Sequence, residues 1–184
     1  MYVNYGIGIR PVEARDLESI RLLRNDDSTF SQLTFAEMIT PAQQEAWFDA
    51  LGTARDRAYF TVVTVKHDPD HPILSEGEFI GMIRTTEIDR INRSICIGAD
   101  VIPAMRGRGY GTKIYKALLK YLFDDLAFHK CFLMVIETNL VARRLYEGVG
   151  FRYDGIHRQA IWRDGAWRDY LILSILEDEY RASK

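Results

Sequence analysis

From Val101 to Thr112 the chain reads Val-Ile-Pro-Ala-Met-Arg-Gly-Arg-Gly-Tyr-Gly-Thr. This places Gly107, Gly109 and Gly111 in five residues, beside Arg106 and Arg108. Glycines let a backbone approach a ligand closely. A strand-like run precedes this stretch and a helical pattern follows it. A helix start offers free N–H groups and the positive end of the helix dipole, which suits an anion such as a pyrophosphate. The two arginines add positive charge. A Walker loop needs Gly-Lys-Ser/Thr, whereas the order here is Gly111-Thr112-Lys113. A Rossmann fingerprint spaces its glycines Gly-x-Gly-x-x-Gly after the first strand of a parallel unit. Here the spacing is Gly-x-Gly-x-Gly, after an antiparallel run. The plainer alternative is a glycine-rich turn with solvated arginines.

A second pair of residues lies further on. Asn139 and Tyr146 are two helical turns apart and so fall on roughly one side of a short helix. Asn139 has the chemistry of an N-cap. Tyr146 sits among Ala142, Leu145 and Val149, as a core tyrosine would. Cys96 and Cys131 lie in apolar runs and read as buried thiols in a reducing compartment, with no metal-ligand spacing around them. His67 and His71 fall in a segment rich in Pro and Asp and read as surface-loop residues rather than ligands or catalysts.

The whole chain has 184 residues, 47% hydrophobic and 27% charged, with Lys+Arg 24 against Asp+Glu 26 for a net charge of −2. These are globular values. So balanced a chain is neither an electrostatic nucleic-acid binder nor a polybasic membrane binder. No run approaches a membrane span and the N-terminus lacks signal-peptide character, so a cytoplasmic protein is expected. Roughly 70% of the extended surface should be buried at this size, enough for a core without a disulfide or metal staple.

The elements that must position these residues can be read in order. Ile7 to Val12 is strand-like. Asp16 caps a helix with Leu17, Ile20, Leu23 and Leu22 inward, and Thr40-Pro41 opens another with Trp47, Phe48 and Leu51 on its apolar side. Glu45 stands too far from Thr40 for a capping box. Tyr59–Val65, Phe79–Ile88 and Ser94–Ile102 form an antiparallel meander, with an exposed loop over 66–77 and a turn at 90–93. Gly111 to Ala127 is a helix carrying Ile114, Leu118, Leu119, Leu122, Phe123 and Leu126 at helical spacing. Cys131–Ile136 is a strand buried on both faces. A short helix starts at Asn139. Phe151 begins a strand, Asp164-Gly165 turns a hairpin, and Leu171–Leu176 is the last strand before a charged tail. The order β-α-α-β-β-β-α-β-α-β-β, without linker or repeat, reads as one α/β domain over residues 1–184.

Arg106-x-x-Gly109-x-Gly111 after a meander, followed by Asn139 and by Ala142-x-x-Leu145-Tyr146-Glu147-x-x-Gly150-Phe151, resembles the GNAT superfamily of acyl-CoA-dependent N-acetyltransferases. The resemblance covers nearly the whole chain. It implies an α/β fold with a mixed, mostly antiparallel central sheet flanked by helices. It also implies acetyl-CoA as co-substrate and transfer to a primary amine by direct attack. Residues implied to hold the cofactor are Ala99, Asp100 and Val101 on the strand, Arg106, Gly107, Arg108, Gly109, Tyr110, Gly111 and Thr112 on the loop, and Asn139. Pro103 is implied to help splay the strand from its neighbour. Tyr146 is implied to protonate the departing thiolate. Direct transfer needs no cysteine nucleophile.

The general base departs from relatives that carry a Glu in one of the two central strands; the matching positions appear as Cys96 and Met134. Glu87 is preferred, with Asp89, Asp100 and a water chain as alternatives. A catalytically silent CoA-binding module remains the competing reading. The acceptor is a small-molecule or peptide amine: a peptide N-terminus, a polyamine or a nucleotide-linked aminosugar. Arg24-Asn25-Asp26 and Thr40–Leu51 are similar to the last group. A homodimer is left open.

Overall fold

The computed structural model describes residues 1–33, 37–68 and 71–183. A short strand, β1 (Tyr2–Asn4), turns into β2 (Ile7–Pro11). Then come α1 (Leu17–Asn25), a single helical turn α2 (Asp27–Phe30) and α3 (Pro41–Leu51). Three long strands follow: β3 (Ala58–Asp68), β4 (His71–Asp89) and β5 (Ser94–Val101). Helix α4 (Tyr110–Lys120) runs into a π-helical turn at Tyr121–Asp125. The remaining elements are β6 (Lys130–Ile136), α5 (Leu140–Gly148), β7 (Arg152–Arg163), β8 (Ala166–Leu176) and α6 (Glu177–Ala182).

One sheet of eight strands runs in the order β1-β2-β3-β4-β5-β6-β8-β7. Every neighbouring pair is antiparallel except β5–β6. That parallel pair is short, from Ser94↔Lys130 to Cys96↔Phe132, after which the strands part. The expected mixed, mostly antiparallel sheet with flanking helices is therefore observed.

The two sheet faces carry different helices. Ile83, Ile95, Ile97 and Leu133 pack with Ile114 and Leu118 of α4 and Leu122 of the π-helical turn. On the other face Met82 packs with Ile20 and Leu23 of α1 and with Trp47 of α3. Alternation along a strand puts successive side chains on opposite faces. Arg84 thus shares the face of Met82, and Asp100, which is opposite Met82 in register, joins them.

Local expectations fail in instructive places. Of the loop expected over 66–77, residues 66–68 and 71–77 are strand instead: β3 and β4 pair out to Asp68↔His71, with register shifts that absorb the irregular sequence. The side chains of His67 and His71 lie outside the described residues. Leu22, expected inward, is 56% exposed because it points off the stripe of Ile20 and Leu23. Leu126 is likewise exposed, since the π-helical turn widens the helix and breaks its period before that residue. α3 has a capping box after all. Gln43, not Glu45, supplies it: its side chain accepts from Thr40 N while Thr40 Oγ1 accepts from Gln43 N. Asp16 does not cap α1 with its side chain; its carboxylate is drawn to Arg10 instead. β6 alternates buried and half-buried residues, so only one of its faces is fully covered. The charged tail forms α6.

Candidate active site

The parting of β5 and β6 opens a cleft of about 550 Å³. From Ile97 onward, the β5 edge that faces β6 has no strand partner among the described residues. Backbone groups on such an edge need other partners. Ala99, Asp100 and Val101 line the cleft there. Pro103 does not cause the splay, which begins at Cys96/Phe132; it opens the 3-10 turn that ends β5.

That turn leads to the N-terminus of α4. Gly107 and Gly109 adopt φ of +73° and +78°, a left-handed backbone that side chains disfavour. Among the described residues no side chain caps the helix, so its first N–H groups face the cleft unspent. Gly107, Gly109, Tyr110, Gly111 and Thr112 all line the cleft. Gly111 brings α4 against α5: a Cβ there would come within 2.5 Å of Leu145 Cδ1.

The arginines behave differently from expectation. Arg106 borders the cleft, but its guanidinium is tied up. It donates to the Val101 carbonyl at 2.9 Å, to Ser28 Oγ at 2.6 Å and to Thr29 Oγ1. It staples α2 to the end of β5 and so builds a cleft wall. Arg108 is exposed, is not among the lining residues, and rests against Met105 Sδ.

Across the splay stands α5. Asn139 caps it by accepting from Ala142 N at 3.0 Å, and it also lines the cleft. Tyr146 reaches the cleft from the same helix. Its ring packs edge-on against Tyr115 of α4, with centroids 5.1 Å apart, and the Tyr115 hydroxyl donates to the Tyr146 hydroxyl at 3.4 Å. Burial raises the Tyr146 pKa above 10.0, partly offset by that hydrogen bond. The phenol is therefore protonated at neutral pH with its own proton undirected by Tyr115.

Arg84 lies in this neighbourhood, ion-paired with Asp100 and within electrostatic reach of Tyr115 and Tyr146. Burial disfavours its charge, but Asp100 and the tyrosines more than compensate, so its pKa is raised. Sequence reasoning missed Arg84, Tyr115, Ser28 and Thr29. Only the parity of Arg84 with Met82, and the position of Tyr115 one turn into α4, could have flagged the first two.

Glu87 is not brought to the cleft. It is exposed, with φ +49°, at the irregularity between Thr86 and Asp89, opposite the paired end of β5 rather than the splayed end. Asp89 accepts from Ile91 N, Asn92 N and Asn92 Nδ2 and so organises the following turn. Cys131 is fully buried, and burial raises its thiol pKa; Cys96 is raised for the same reason. Among the described residues, no helix is long and apolar enough to cross a membrane.

Residues 7–152 match the family model of the acetyltransferase (GNAT) domain. A putative ribosomal N-acetyltransferase of Bacillus subtilis, YdaF, is 25% identical, covering 99% of this chain and 97% of its own. The spermidine N(1)-acetyltransferase of Escherichia coli K12 is 23% identical over 97% of this chain and 90% of its own. The crystal structure of the Vibrio cholerae spermidine N-acetyltransferase in complex with CoA and spermine superposes with a TM-score of 0.86. It is 24% identical and covers 97% of this chain and 99% of that one.

Proposed function

The chain belongs to the GNAT acetyltransferase family, and from that premise we propose that it transfers the acetyl group of acetyl-CoA to a primary amine by direct attack, with Tyr146 as general acid. The observation that carries this reading is the cleft itself. An uncapped helix start with two left-handed glycines forms one end, and an unpaired strand edge forms its side. A protonated, half-buried tyrosine stands at the other end. These features fit acetyl-CoA: the N–H groups of Tyr110 to Thr112 would meet the pyrophosphate, and the β5 edge at Ala99 to Val101 would meet the pantetheine amides. Asn139 would orient the arm from the opposite wall.

When bound, acetyl-CoA supplies a thioester carbonyl open to a neutral amine. Backbone N–H groups on the β5 edge meet the charge that develops on the carbonyl oxygen. As the C–N bond forms and the C–S bond breaks, Tyr146 gives its proton to the sulfur. The amine loses its extra proton to solvent and the phenol is reprotonated. Tyr115 fixes the Tyr146 ring and occupies the acceptor side of its hydroxyl. Neither Glu87 nor a cysteine takes part.

Tyr146→Phe tests this. The ring and its packing stay, while the proton is lost. Turnover measured by thiol release should fall by roughly 10²–10⁴-fold. Calorimetric acetyl-CoA affinity and the melting temperature should hardly move. A rate within about threefold of the parent would remove Tyr146 as the acid. Acetyl-CoA binding with no release across amines would point to a silent CoA-binding module instead.

A further inference from the structure

A second pocket, of about 180 Å³, lies on the sheet face that carries Asp100 and Arg84. Arg24 of α1 and Gln43, Gln44 and Trp47 of α3 wall it, together with the segment Glu37–Ile39. That segment is pinned to α1: Asn25 Nδ2 donates to the Ile39 carbonyl at 2.8 Å and Ile39 N donates to Asn25 Oδ1 at 2.9 Å. Trp47 stacks edge-on with Tyr59, which is paired with Arg84 across β3–β4. Arg24 is within electrostatic reach of both Arg84 and Asp100. Arg24 thus links the pocket electrostatically to the ion pair whose Asp100 lines the reaction cleft.

Two of its polar groups are unspent. Gln44 is only 2% exposed, and its Nε2 has no hydrogen-bond partner among the described residues. Arg24 Nε is buried and equally without one. Both groups are donors only. Leaving two buried donors unmet is costly unless a ligand supplies acceptors. Arg24 also has no carboxylate in a salt bridge among the described residues, and burial together with Arg84 disfavours its charge. Glu37, the carboxylate on the lining, is exposed. The apolar part of the wall comes from Met38 and Trp47.

We infer that this pocket seats an anionic oxyacid group, a carboxylate or a phosphate, carried by the acceptor amine, with Arg24 and Gln44 as its donors. The inference rests on the acetyltransferase reading and narrows it: the preferred acceptor carries a negative group at a distance from its amine, and a polyamine is disfavoured. A polyamine would place a second ammonium against Arg24 with no acceptor for Gln44 Nε2. An oxyacid satisfies both donors and neutralises the half-buried guanidinium.

The test uses amines that differ only in their far end: butylamine, putrescine, γ-aminobutyrate and aminopropyl phosphate. Thiol release with acetyl-CoA gives kcat/KM, and calorimetry on the CoA-saturated protein gives binding. The anionic pair should exceed butylamine by roughly ten- to hundredfold in either readout, and putrescine should fall below it. The ratio of γ-aminobutyrate to aminopropyl phosphate distinguishes carboxylate from phosphate. Arg24→Met should erase the preference by raising KM for the anionic amines while leaving acetyl-CoA affinity intact. Gln44→Leu, which keeps the helix and fills the space, should weaken it in the same sense. Putrescine as the best ligand, or an anion preference that survives both substitutions, would overturn the inference. So would the absence of any anion preference in calorimetry. Failure of the acetyltransferase reading is separate: it would appear as no acetyl-CoA binding, whatever the anions do at Arg24.

Discussion

At the scale of single residues, proton placement governs the chemistry. In the proposed mechanism Tyr146 is the acid, a role that requires it to be protonated. Burial raises its pKa above 10.0, so the activity should rise with pH as the acceptor amine deprotonates and fall only above that ordinary tyrosine value. In Tyr146→Phe the falling limb should vanish along with most of the rate; a falling limb that persists would assign it to another group. The cysteines make a contrasting pair. Cys131 is fully buried, and no hydrogen bond of its thiol is seen among the described residues; Cys96 lies opposite Thr86 in the β4–β5 register. Cys131→Ser should therefore cost about 1–3 kcal/mol, and Cys96→Ser less, because its hydroxyl would have the Thr86 side chain across the strand pair. Both variants should retain turnover. A folded Cys131 or Cys96 variant with none would indicate a covalent route.

At the scale of elements, the cleft depends on how closely α4 and α5 approach across the parted strands. Gly111 makes that approach possible, since a methyl group there would meet Leu145 Cδ1 at 2.5 Å. Gly111→Ala should destabilise the protein by about 1–3 kcal/mol through overpacking and weaken acetyl-CoA binding by shifting the helix start. Because the obstacle is one side-chain end, Leu145→Ala should relieve part of the cost. A double-mutant cycle read by urea denaturation should give a coupling of about 0.5–3 kcal/mol. Strict additivity would mean that the two helices do not touch through this pair. The same reasoning explains why Arg106 serves as a brace. Its hydrogen bonds to Val101, Ser28 and Thr29 join the end of β5 to α2, two elements remote in sequence.

At the scale of the whole molecule, a buried ionic knot ties the first third of the chain to the sheet. Asp16 accepts from Arg10 at 2.6 and 2.9 Å, from Glu13 N at 2.8 Å and from Thr61 Oγ1 at 2.9 Å, and Arg10 also pairs with Glu76. β2, the start of α1, β3 and β4 meet there. Burial pushes the Asp16 pKa up, but the hydrogen bonds from Arg10, Glu13 and Thr61 outweigh it, and the net pKa is lowered. A carboxylate with a lowered folded pKa stabilises the native state above its unfolded pKa and loses that contribution as pH falls through the folded one. Asp16→Asn should therefore cost about 1–3 kcal/mol near neutrality, because Arg10 keeps Glu76 but loses the Asp16 charge. The gap from the parent should close as the pH drops below the ordinary carboxylate range. A gap that stays constant with pH would mean that Asp16 acts by packing alone.

The sequence alone determined the local features whose causes are local. The strand–glycine loop–helix segment, the Asn139 cap, the Asp164-Gly165 hairpin and the meander follow from backbone permissiveness, capping chemistry and side-chain period, which need no distant partner. The motif pair Arg106-x-x-Gly109-x-Gly111 and Asn139…Tyr146 was likewise enough to indicate the family. Tertiary structure decided whatever depends on contacts between remote segments. It tied Arg106 to α2 and the end of β5 in the cleft wall, left Arg108 off the lining, moved Glu87 away from the cleft, and set Tyr115 against Tyr146. It brought Arg24 of α1 within electrostatic reach of Arg84 and Asp100 of β4 and β5, and set Gln44 of α3 in one pocket with Arg24. None of these has a signature in spacing, because electrostatic and steric neighbours are fixed by the strand order and by where β5 leaves β6. Those are properties of the assembled sheet and not of any one stretch of chain.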